Sequence, residues 1–412
     1  MLLILLRSFA KITDWLYFAL GESPSLDFRF LPVYSYGFFV AIGFLVGAQI
    51  ATIELRRREK LGLLTGNESE ITVGEGITPF ELVFYFLFGF VLGFKIIGFF
   101  SYFTELSTYI LPLKEYMLSM SHGSWIGGIL VGAGLCYYYY YAKNKEKLPQ
   151  PIKKKITIFP SDTMGDLVVI AAVLGVLGSN LFNYFEDPSD YETFWQDPVG
   201  SLFSGLSIYG GLICAAIGFA IYARIKKFNL LHFFDCIAPA FIVANGIGRL
   251  GCQVSGDGDW GVANLHAKPS FIPQFLWSSH YEHNIIDADP HNYIPGCVEE
   301  HCHLLSQAAY PTPIYEFLMC LVIFAILWGI RKRFTNRPGI VVTAFMVLIG
   351  LQRYSIEQLR DIGERELTYL FGIGFRQSEL ISIVLFVGGI VGTIYLWRYY
   401  QRKGAEIKKE NS

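Results

Sequence analysis

The chain has 412 residues, of which 53% are hydrophobic and only 17% are charged, and its mean hydropathy is +0.40. Soluble domains carry about 25% charged residues, so this composition excludes a disordered chain and most soluble enzymes of this size. A formal net charge of −2 and seven cysteines exclude a basic nucleic-acid-binding surface and a disulfide-rich scaffold. The class that remains is an all-α polytopic membrane protein.

The chain begins with an apolar segment that charges interrupt. Met1–Leu20 contains Arg7, Lys11 and Asp14, and its apolar run precedes its first charge, unlike that of a secretory signal peptide. We expect residues 1–30 to form a unit whose amphipathic helix lies on the outer, periplasmic surface of the membrane. The alternative is a tenth span, which would reverse the charge pattern described next.

Nine stretches are long enough to cross a bilayer, which takes about 20 mostly apolar residues. In chain order they are Val33–Ile53, Leu82–Thr104, Tyr116–Ala142, Leu167–Phe185, Val199–Ala223, Phe233–Val254, Pro313–Ile330, Gly339–Gln358 and Leu380–Tyr399. Clusters of basic residues follow the first, third, fifth, seventh and ninth spans. Lys and Arg favour the cytoplasmic side of a membrane. The pattern predicts a periplasmic N-terminus, a transmembrane domain over residues 31–403 and a cytoplasmic tail over residues 404–412.

Two parts of this domain resemble each other. Val91-Leu92-Gly93 matches Val176-Leu177-Gly178, and Ser124-Trp125-Ile126-Gly127-Gly128 matches Ser207-Ile208-Tyr209-Gly210-Gly211 at nearly the same offset. Either apolar helices resemble one another by chance, or a helical hairpin is duplicated. We favour duplication, with residues 101–206 as the inserted or duplicated hairpin. One copy would then carry chemistry and the other would serve as scaffold.

Several charged residues bracket spans that are too short to cross the bilayer, so some of these residues must lie inside the membrane. Arg249, Glu316 and Arg353 fall near the outer ends of short spans, and Glu357 follows Arg353 on the same helical face. Ionisable groups inside a bilayer cost at least about 2.5 kcal/mol each and are functional candidates. Two guanidinium groups suit a phosphate, which at the outer leaflet belongs to a phospholipid head group. The alternative is that Arg353–Glu357 and Arg249–Asp257 are ion pairs that only fix helix ends.

The sixth span runs into a glycine-rich stretch over residues 245–261. It should begin as helix and break into irregular backbone near Gly256. Such backbone at membrane depth occurs only where it lines a cavity or is buried in protein. We interpret the stretch as the lining of a lipid-head-group pocket, and the alternative is an ordinary re-entrant turn.

Five motifs in this order resemble the bacterial prolipoprotein diacylglyceryl transferase family. They are Ser35-Tyr36-Gly37, Ser207-Ile208-Tyr209-Gly210-Gly211-Leu212, Gly248-Arg249-Leu250-Gly251 with Gly256-Asp257-Gly258-Asp259-Trp260-Gly261, Pro311-Thr312-Pro313-Ile314-Tyr315-Glu316, and Arg353-Tyr354-Ser355-Ile356-Glu357-Gln358-Leu359-Arg360. The resemblance implies transfer of the diacylglyceryl group of phosphatidylglycerol to the lipobox cysteine thiol of a preprolipoprotein. A thioether forms and glycerol phosphate leaves, in the bacterial inner membrane, with no cofactor or metal.

The resemblance also implies residue roles. The candidate catalytic residues are Arg249, Arg353, Tyr209 and Glu357. The candidate substrate-binding residues are Tyr36, Arg249, Asp257, Gly261, Glu316 and Arg360. The two arginines would hold the phosphate and stabilise the charge that develops on it, while Glu357 and Asp257 would position them. The implied partners are phosphatidylglycerol, the preprolipoprotein signal peptide with its lipobox cysteine, and membrane lipids, with no nucleic acid.

The chain departs from the family pattern in three ways. Tyr209 stands where the family usually has histidine, and a phenol with a pKa of about 10 is a poor base. Cys252 stands where the family usually has asparagine. The family generally has seven spans, so this chain would have two more. The proton acceptor for the thiol therefore stays open.

Residues 262–310 form a long loop on the predicted periplasmic side. It holds six histidines together with Cys297 and Cys302. A disulfide between these two cysteines, a metal site in the run from Cys297 to His303, or neither, are all compatible with the spacing. We expect the loop to cover the site or to guide the substrate peptide.

Two other functions stay open. A sister enzyme could bind the same head group and use a different acceptor, which the presence of Tyr209 favours. A non-catalytic transporter or lipid-binding protein is favoured by the duplicated hairpin. Transporter sites typically lie near the bilayer midplane, whereas the polar residues here gather at one face.

Overall fold

The computed structural model describes residues 35–102, 116, 121–186, 208–297, 301–360, 368–370 and 373–410. The interfacial helix expected within residues 1–30 lies outside these ranges. Ten helices are described: α1 Ser35–Lys60, α2 Pro79–Ser101, α3 Trp125–Lys145, α4 Met164–Glu186, α5 Ile208–Ile225, α6 Leu230–Ser255, α7 Gln274–Trp277, α8 Thr312–Ile330, α9 Ile340–Glu357 and α10 Gln377–Glu410.

Two small antiparallel sheets accompany these helices. Strands β1 (Asn67–Val73) and β2 (Ile152–Ile158) pair with Asn67 opposite Ile158 and Val73 opposite Ile152. Strands β3 (Thr368–Leu370) and β4 (Ile373–Phe375) form a short ribbon before α10. The first sheet joins the chain leaving α1 to the chain entering α4, so it connects the two helical hairpins of the N-terminal half.

Seven helical segments are long and apolar enough to cross a membrane: Ser35–Lys60, Pro79–Ser101, Pro160–Tyr184, Leu230–Ser255, Thr312–Ile330, Ile340–Glu357 and Ser378–Lys403. The prediction of a mostly helical, multi-pass membrane protein is therefore confirmed. The third and fifth predicted spans correspond to α3 and α5, which fall short of this criterion within the described residues. The count of nine spans and the orientation of the termini stay predictions.

The boundary of the third predicted span is wrong. Its helix begins at Trp125 and not at Tyr116, because Ser124 caps the helix by accepting a hydrogen bond from the N–H of Gly127. At the other end of the chain, α10 continues to Glu410. Most of the predicted tail over residues 404–412 is therefore helical.

The two hairpins place equivalent glycines at their crossing points. A side chain added at Gly93 of α2 would meet the carbonyl oxygen of Gly127 in α3. A side chain added at Gly178 of α4 would meet the carbonyl oxygen of Gly210 in α5. Backbones this close are typical of helix contacts built on small residues in membranes. Because these are the glycines that match in the sequence, the geometry favours the predicted duplication.

The central helix of the bundle is α6, which packs against α1, α8 and α9. Gly43 of α1 lies so close to α6 that an added Cβ would sit 2.8 Å from the carbonyl oxygen of Ala244. On its other side, Ile242 packs in a buried cluster with Cys320 of α8 and Val341 of α9. This packing fixes the relative positions of the helices whose ends carry the deep charges.

A buried ion network lies where α1 ends and α6 begins. Glu54 contacts Arg58 at 3.2 Å and Arg331, the residue that follows α8, at 3.1 Å, and Arg58 contacts Asp235 of α6 at 3.3 Å. Asp235 also accepts hydrogen bonds from the backbone N–H groups of Gly339 and Val342 at the start of α9. The network thus joins four helices at the end of the bundle opposite the polar cluster described next.

Candidate active site

The polar cluster forms at one end of the bundle because α6 and α9 finish where α8 begins. Arg249 lies near the C-terminal end of α6, and Arg353 and Glu357 lie near that of α9. Glu316 lies in the first turns of α8. The structure therefore brings together the four deep charges that the sequence places at one membrane face.

Glu316 links the two arginines that are predicted to hold the phosphate. Its carboxylate contacts Arg249 Nε at 2.9 Å and Arg353 Nη1 at 3.5 Å. The Glu316 side chain is 2% exposed, and those of the arginines are 7% and 17% exposed. Two guanidinium groups from separate helices thus meet at one buried carboxylate, which holds them in a fixed relative position.

Arg360 is the third arginine of the cluster. Asp259 bridges it to Arg249, forming an ion pair with each of them. Glu357 contacts Arg353 at 3.3 Å and Arg360 at 3.9 Å. Arg360 Nε is buried without a hydrogen-bond partner, so one donor of this guanidinium remains available.

The acidic partner of Arg249 in the turn is Asp259, and not Asp257 as the sequence suggested. Helix α6 ends at Ser255, as expected, with Gly256 in the left-handed region at φ 63°. Gly258 also has a positive φ of 91°. The two glycines reverse the chain so that Asp259 faces the arginines, and Thr312 holds it there by donating to its carbonyl oxygen at 2.5 Å. Residue spacing alone could not distinguish the two acids, which lie two positions apart.

Asp257 occupies a different environment from Asp259. Its carboxylate accepts hydrogen bonds from the Cys252 thiol and, at 3.4 Å, from the N–H of Asp259. Burial and the nearby Asp259 carboxylate raise the pKa of Asp257. Burial also acts to raise the pKa of Asp259, but Arg249, Arg360 and Arg353 together bring it below its usual value. The two acids therefore differ in their affinity for a proton.

The remaining predicted site residues lie around this cluster. Tyr36 opens α1 beside Cys252 and Arg249, and it is 41% exposed. Gly261 packs where a side chain would meet the carbonyl oxygen of Leu359, so it joins the loop to the end of α9. Tyr209 lies in the first turn of α5, and its side chain is outside the described part of the structure. Substrate contacts by these residues stay predictions.

The loop over residues 262–310 packs against the end of α6. Tyr281 is buried, and its hydroxyl donates to Gln253 at 2.8 Å while its ring contacts Trp260. Cys297 and Cys302 form a disulfide, which decides among the three alternatives that the sequence left open. The loop is therefore fastened both to itself and to the helix that carries Arg249.

Within the described residues, one group of side chains has the spacing of metal ligands. The Cys252 sulfur and the carboxylate oxygens of Asp257 and Asp259 lie within 4.8 Å of one another. Asp259 is already paired with two guanidinium groups, so a cation would have to compete with Arg249 and Arg360. The pairing of Asp259 with two arginines therefore opposes the binding of a metal ion at this group.

The cluster holds three guanidinium groups and four carboxylates. A phosphate diester carries one negative charge, which the carboxylates repel. It therefore binds favourably only if one carboxylate gives up its contact with an arginine or becomes protonated. Bidentate guanidinium contacts bind phosphate strongly in a site sheltered from water. The arrangement can therefore exchange an internal carboxylate for a phosphate group and stabilise negative charge on it.

Comparison with known proteins gives a consistent result. A family profile described as prolipoprotein diacylglyceryl transferase matches residues 128–395. Several proteins named phosphatidylglycerol–prolipoprotein diacylglyceryl transferase resemble the chain. The protein from Corynebacterium glutamicum is 29% identical over 60% of this chain and 71% of its own length. Those from Streptococcus uberis and Clostridium perfringens are 29% and 27% identical, over 60% and 59% of this chain and 85% and 81% of their own lengths.

The matched region contains Arg249, Glu316, Arg353 and Glu357, and it excludes α1 and α2. The predicted resemblance and the prediction of a transferase are confirmed. Since the profile covers well over half of the chain, this protein belongs to the prolipoprotein diacylglyceryl transferase family.

Proposed function

We propose that this protein transfers the diacylglyceryl group of phosphatidylglycerol to the lipobox cysteine of a preprolipoprotein. The observation that carries the proposal is the meeting of Arg249 and Arg353 at Glu316, with Arg360 beside them. Relatives that share the matched region are named for this activity. A buried group of arginines at one end of a membrane bundle fits a lipid whose head group carries a phosphate.

Arg249 and Arg353 bind the phosphate in this proposal. As the bond between the diacylglyceryl carbon and the phosphate oxygen breaks, negative charge grows on the phosphate, and fixed guanidinium groups stabilise it without reorganisation. Glu316 and Glu357 hold the arginines in place through contacts of 2.9–3.5 Å. Tyr36, partly exposed at the start of α1, is placed to donate a hydrogen bond to the head group.

The site faces the periplasmic leaflet of the bacterial inner membrane in this proposal. Basic clusters such as Arg56-Arg57-Arg58 and Arg331-Lys332-Arg333 lie at the opposite end of the bundle from Arg249 and Arg353. Lys and Arg prefer the cytoplasmic side. Phosphatidylglycerol and the signal peptide of a translocated preprolipoprotein would both reach the site from the membrane.

The test is transfer of labelled diacylglyceryl from phosphatidylglycerol in detergent micelles to a synthetic lipobox peptide. The wild-type protein should form labelled peptide. Arg249→Lys and Arg353→Lys should each lower kcat by about 10²–10³-fold, because lysine cannot bind bidentate. Arg402→Lys, an exposed change near the end of α10, is the matched control. Wild-type turnover in either site variant would refute the phosphate role.

A second candidate function follows from Tyr209. The family usually has histidine at this position, so the acceptor or the route of its proton could differ. A sister enzyme would pass the diacylglyceryl group to water, or to another acceptor supplied as a membrane extract, and would release glycerol phosphate without labelling the lipobox peptide. The same assay separates the two functions, because the released head group and the labelled peptide are measured independently.

A further inference from the structure

The four carboxylates of the site differ in what neutralises them. Asp259, Glu316 and Glu357 each contact at least one arginine. Asp257 forms no ion pair within the described part of the chain, and its hydrogen bonds come from the Cys252 thiol and the Asp259 N–H. Three of these acids are therefore occupied with arginines, and the fourth is free to take a proton.

Asp257 also lies where a substrate could reach it. It is only partly buried, whereas Cys252 behind it is 5% exposed. The charged and titratable groups around it are Arg249 and Cys252 of α6, Tyr36 of α1, and Asp259 and Tyr281 of the following segment. Its carboxylate is thus partly exposed and lies near Arg249, which is proposed to bind the phosphate.

The proposed reaction needs a proton acceptor. A cysteine thiol has a pKa of about 8.5 and attacks as the thiolate, so only a small fraction is reactive at pH 7. The family histidine is replaced by Tyr209, which is a poor base at this pH. Some other group beside the phosphate must therefore take the proton as the thiol attacks.

We propose that Asp257 is the general base that accepts the proton of the incoming lipobox thiol, an inference that rests on the proposed function. The sulfur–carbon bond forms as the carbon–oxygen bond to the phosphate breaks, and the electron pair of that bond leaves with the phosphate. The leaving glycerol phosphate stays paired with Arg249 and Arg353. The proton passes from sulfur to the Asp257 carboxylate and from there to the leaving phosphate or to water.

The surroundings of Asp257 suit this role. Burial and the neighbouring Asp259 raise its pKa, which brings its affinity for a proton closer to that of a base working near neutral pH. Arg249 acts in the opposite direction and limits this rise in the pKa of Asp257. The glycines on either side, Gly256 and Gly258, place it on a turn and not within a helix.

The experiment measures the pH dependence of diacylglyceryl transfer for the wild type, Asp257→Asn and Asp257→Glu. Phosphatidylglycerol binding is measured separately by titration with a fluorescent analogue of that lipid. Asp257→Asn should lower kcat at pH 7 by about 10²–10⁴-fold, a much larger change than any change in lipid binding. Its residual rate should rise about tenfold per pH unit up to the thiol's own pKa of about 8.5, because solvent then removes the proton. Asp257→Glu should keep the shape of the wild-type profile.

Two results would overturn the inference. One is an Asp257→Asn profile that has the same shape as that of the wild type. The other is a loss of lipid binding in Asp257→Asn as large as the loss of transfer, which would assign Asp257 a structural role. A wild-type protein that transfers no diacylglyceryl group would instead contradict the proposed function itself, so the two failures are distinguishable.

Discussion

Glu316 is the residue that contacts both of the arginines proposed to bind the phosphate. It lies almost fully buried between Arg249 and Arg353. Removing one member of a buried ion pair costs about 3–5 kcal/mol, because it leaves the other charge uncompensated. Here a single carboxylate separates two like charges, so its loss would expose each guanidinium to the repulsion of the other.

We therefore expect Glu316→Gln to lower the free energy of unfolding by about 3–5 kcal/mol and to lower transfer as well. Thermal unfolding in detergent micelles measures the first effect. Glu68→Gln is the control, because the Glu68–Lys155 pair is exposed on both sides and such pairs contribute at most about 1 kcal/mol. A Glu316→Gln protein as stable as Glu68→Gln would show that the arginines do not need this carboxylate.

The turn that follows α6 is the element that orients both acids of the site. Gly258 has a φ of 91°, and an added Cβ would also meet the side chain of Ile286. A residue with a Cβ pays about 1–2 kcal/mol in the left-handed region. Any relaxation of that strain moves Asp257 and Asp259 relative to Arg249.

Gly258→Ala should accordingly lower kcat for transfer, while the helical content measured by circular dichroism stays unchanged. Gly62→Ala is a matched control, because Gly62 has a similar φ of 69° and open space around it at the other end of α1. Both variants should lose similar stability, about 1–2 kcal/mol. Equal kcat values for the two variants would mean that the turn does not position the acids.

The two hairpins differ in what they contact. Helices α4 and α5 pack on α1 and α6, where Leu167 and Ala223 join a buried cluster with Leu55 and Phe233. Helices α2 and α3 pack mainly on each other. The hairpin α4–α5 is thus attached to the helix that carries Arg249, and α2–α3 is peripheral.

This difference predicts unequal effects of equivalent substitutions. Gly178→Val and Gly93→Val should each disturb the backbone contact within one hairpin, at a cost of about 1–3 kcal/mol. Only Gly178→Val should also lower transfer. The peptide assay checks the prediction when both purified variants are compared at the same amount of folded protein. An equal loss of transfer would place both hairpins in the functional unit.

At the scale of the whole molecule, the sequence predicts best what depends on local chemistry. The break in α6 at Gly256 follows from glycine's freedom in the left-handed region. The gathering of Arg249, Glu316 and Arg353 follows from charge positions in successive spans. The start of α3 at Trp125 depends on the cap at Ser124, a local signal that a search for apolar stretches does not detect.

What the sequence could not show is how surfaces meet in three dimensions. The choice of Asp259 over Asp257 depends on two backbone reversals that spacing does not encode. The buried network of Glu54, Arg58 and Asp235 joins residues from separate helices, and their pairing is not visible in the sequence. The position of Asp235 inside the sixth helix was an available signal, since an acid there needs a buried partner.

The proposed periplasmic site depends on the orientation of the whole bundle. If basic clusters mark the cytoplasmic side, the loop over residues 262–310 and the arginine cluster both face the periplasm. Ser270 in that loop and Arg224 at the end of α5 are both exposed, and they lie at opposite ends of the bundle. They therefore report on the two sides of the membrane.

Ser270→Cys should react with a membrane-impermeant maleimide in intact bacterial spheroplasts, and Arg224→Cys should react only after lysis. Both readings are taken against a background in which Cys136 and Cys214, the two free cysteines of the described residues that are not fully buried, are replaced by serine. Lysed cells give the maximal labelling of each variant. The reverse pattern would place the arginines at the cytoplasmic leaflet, where the thiol of a translocated signal peptide would not meet them.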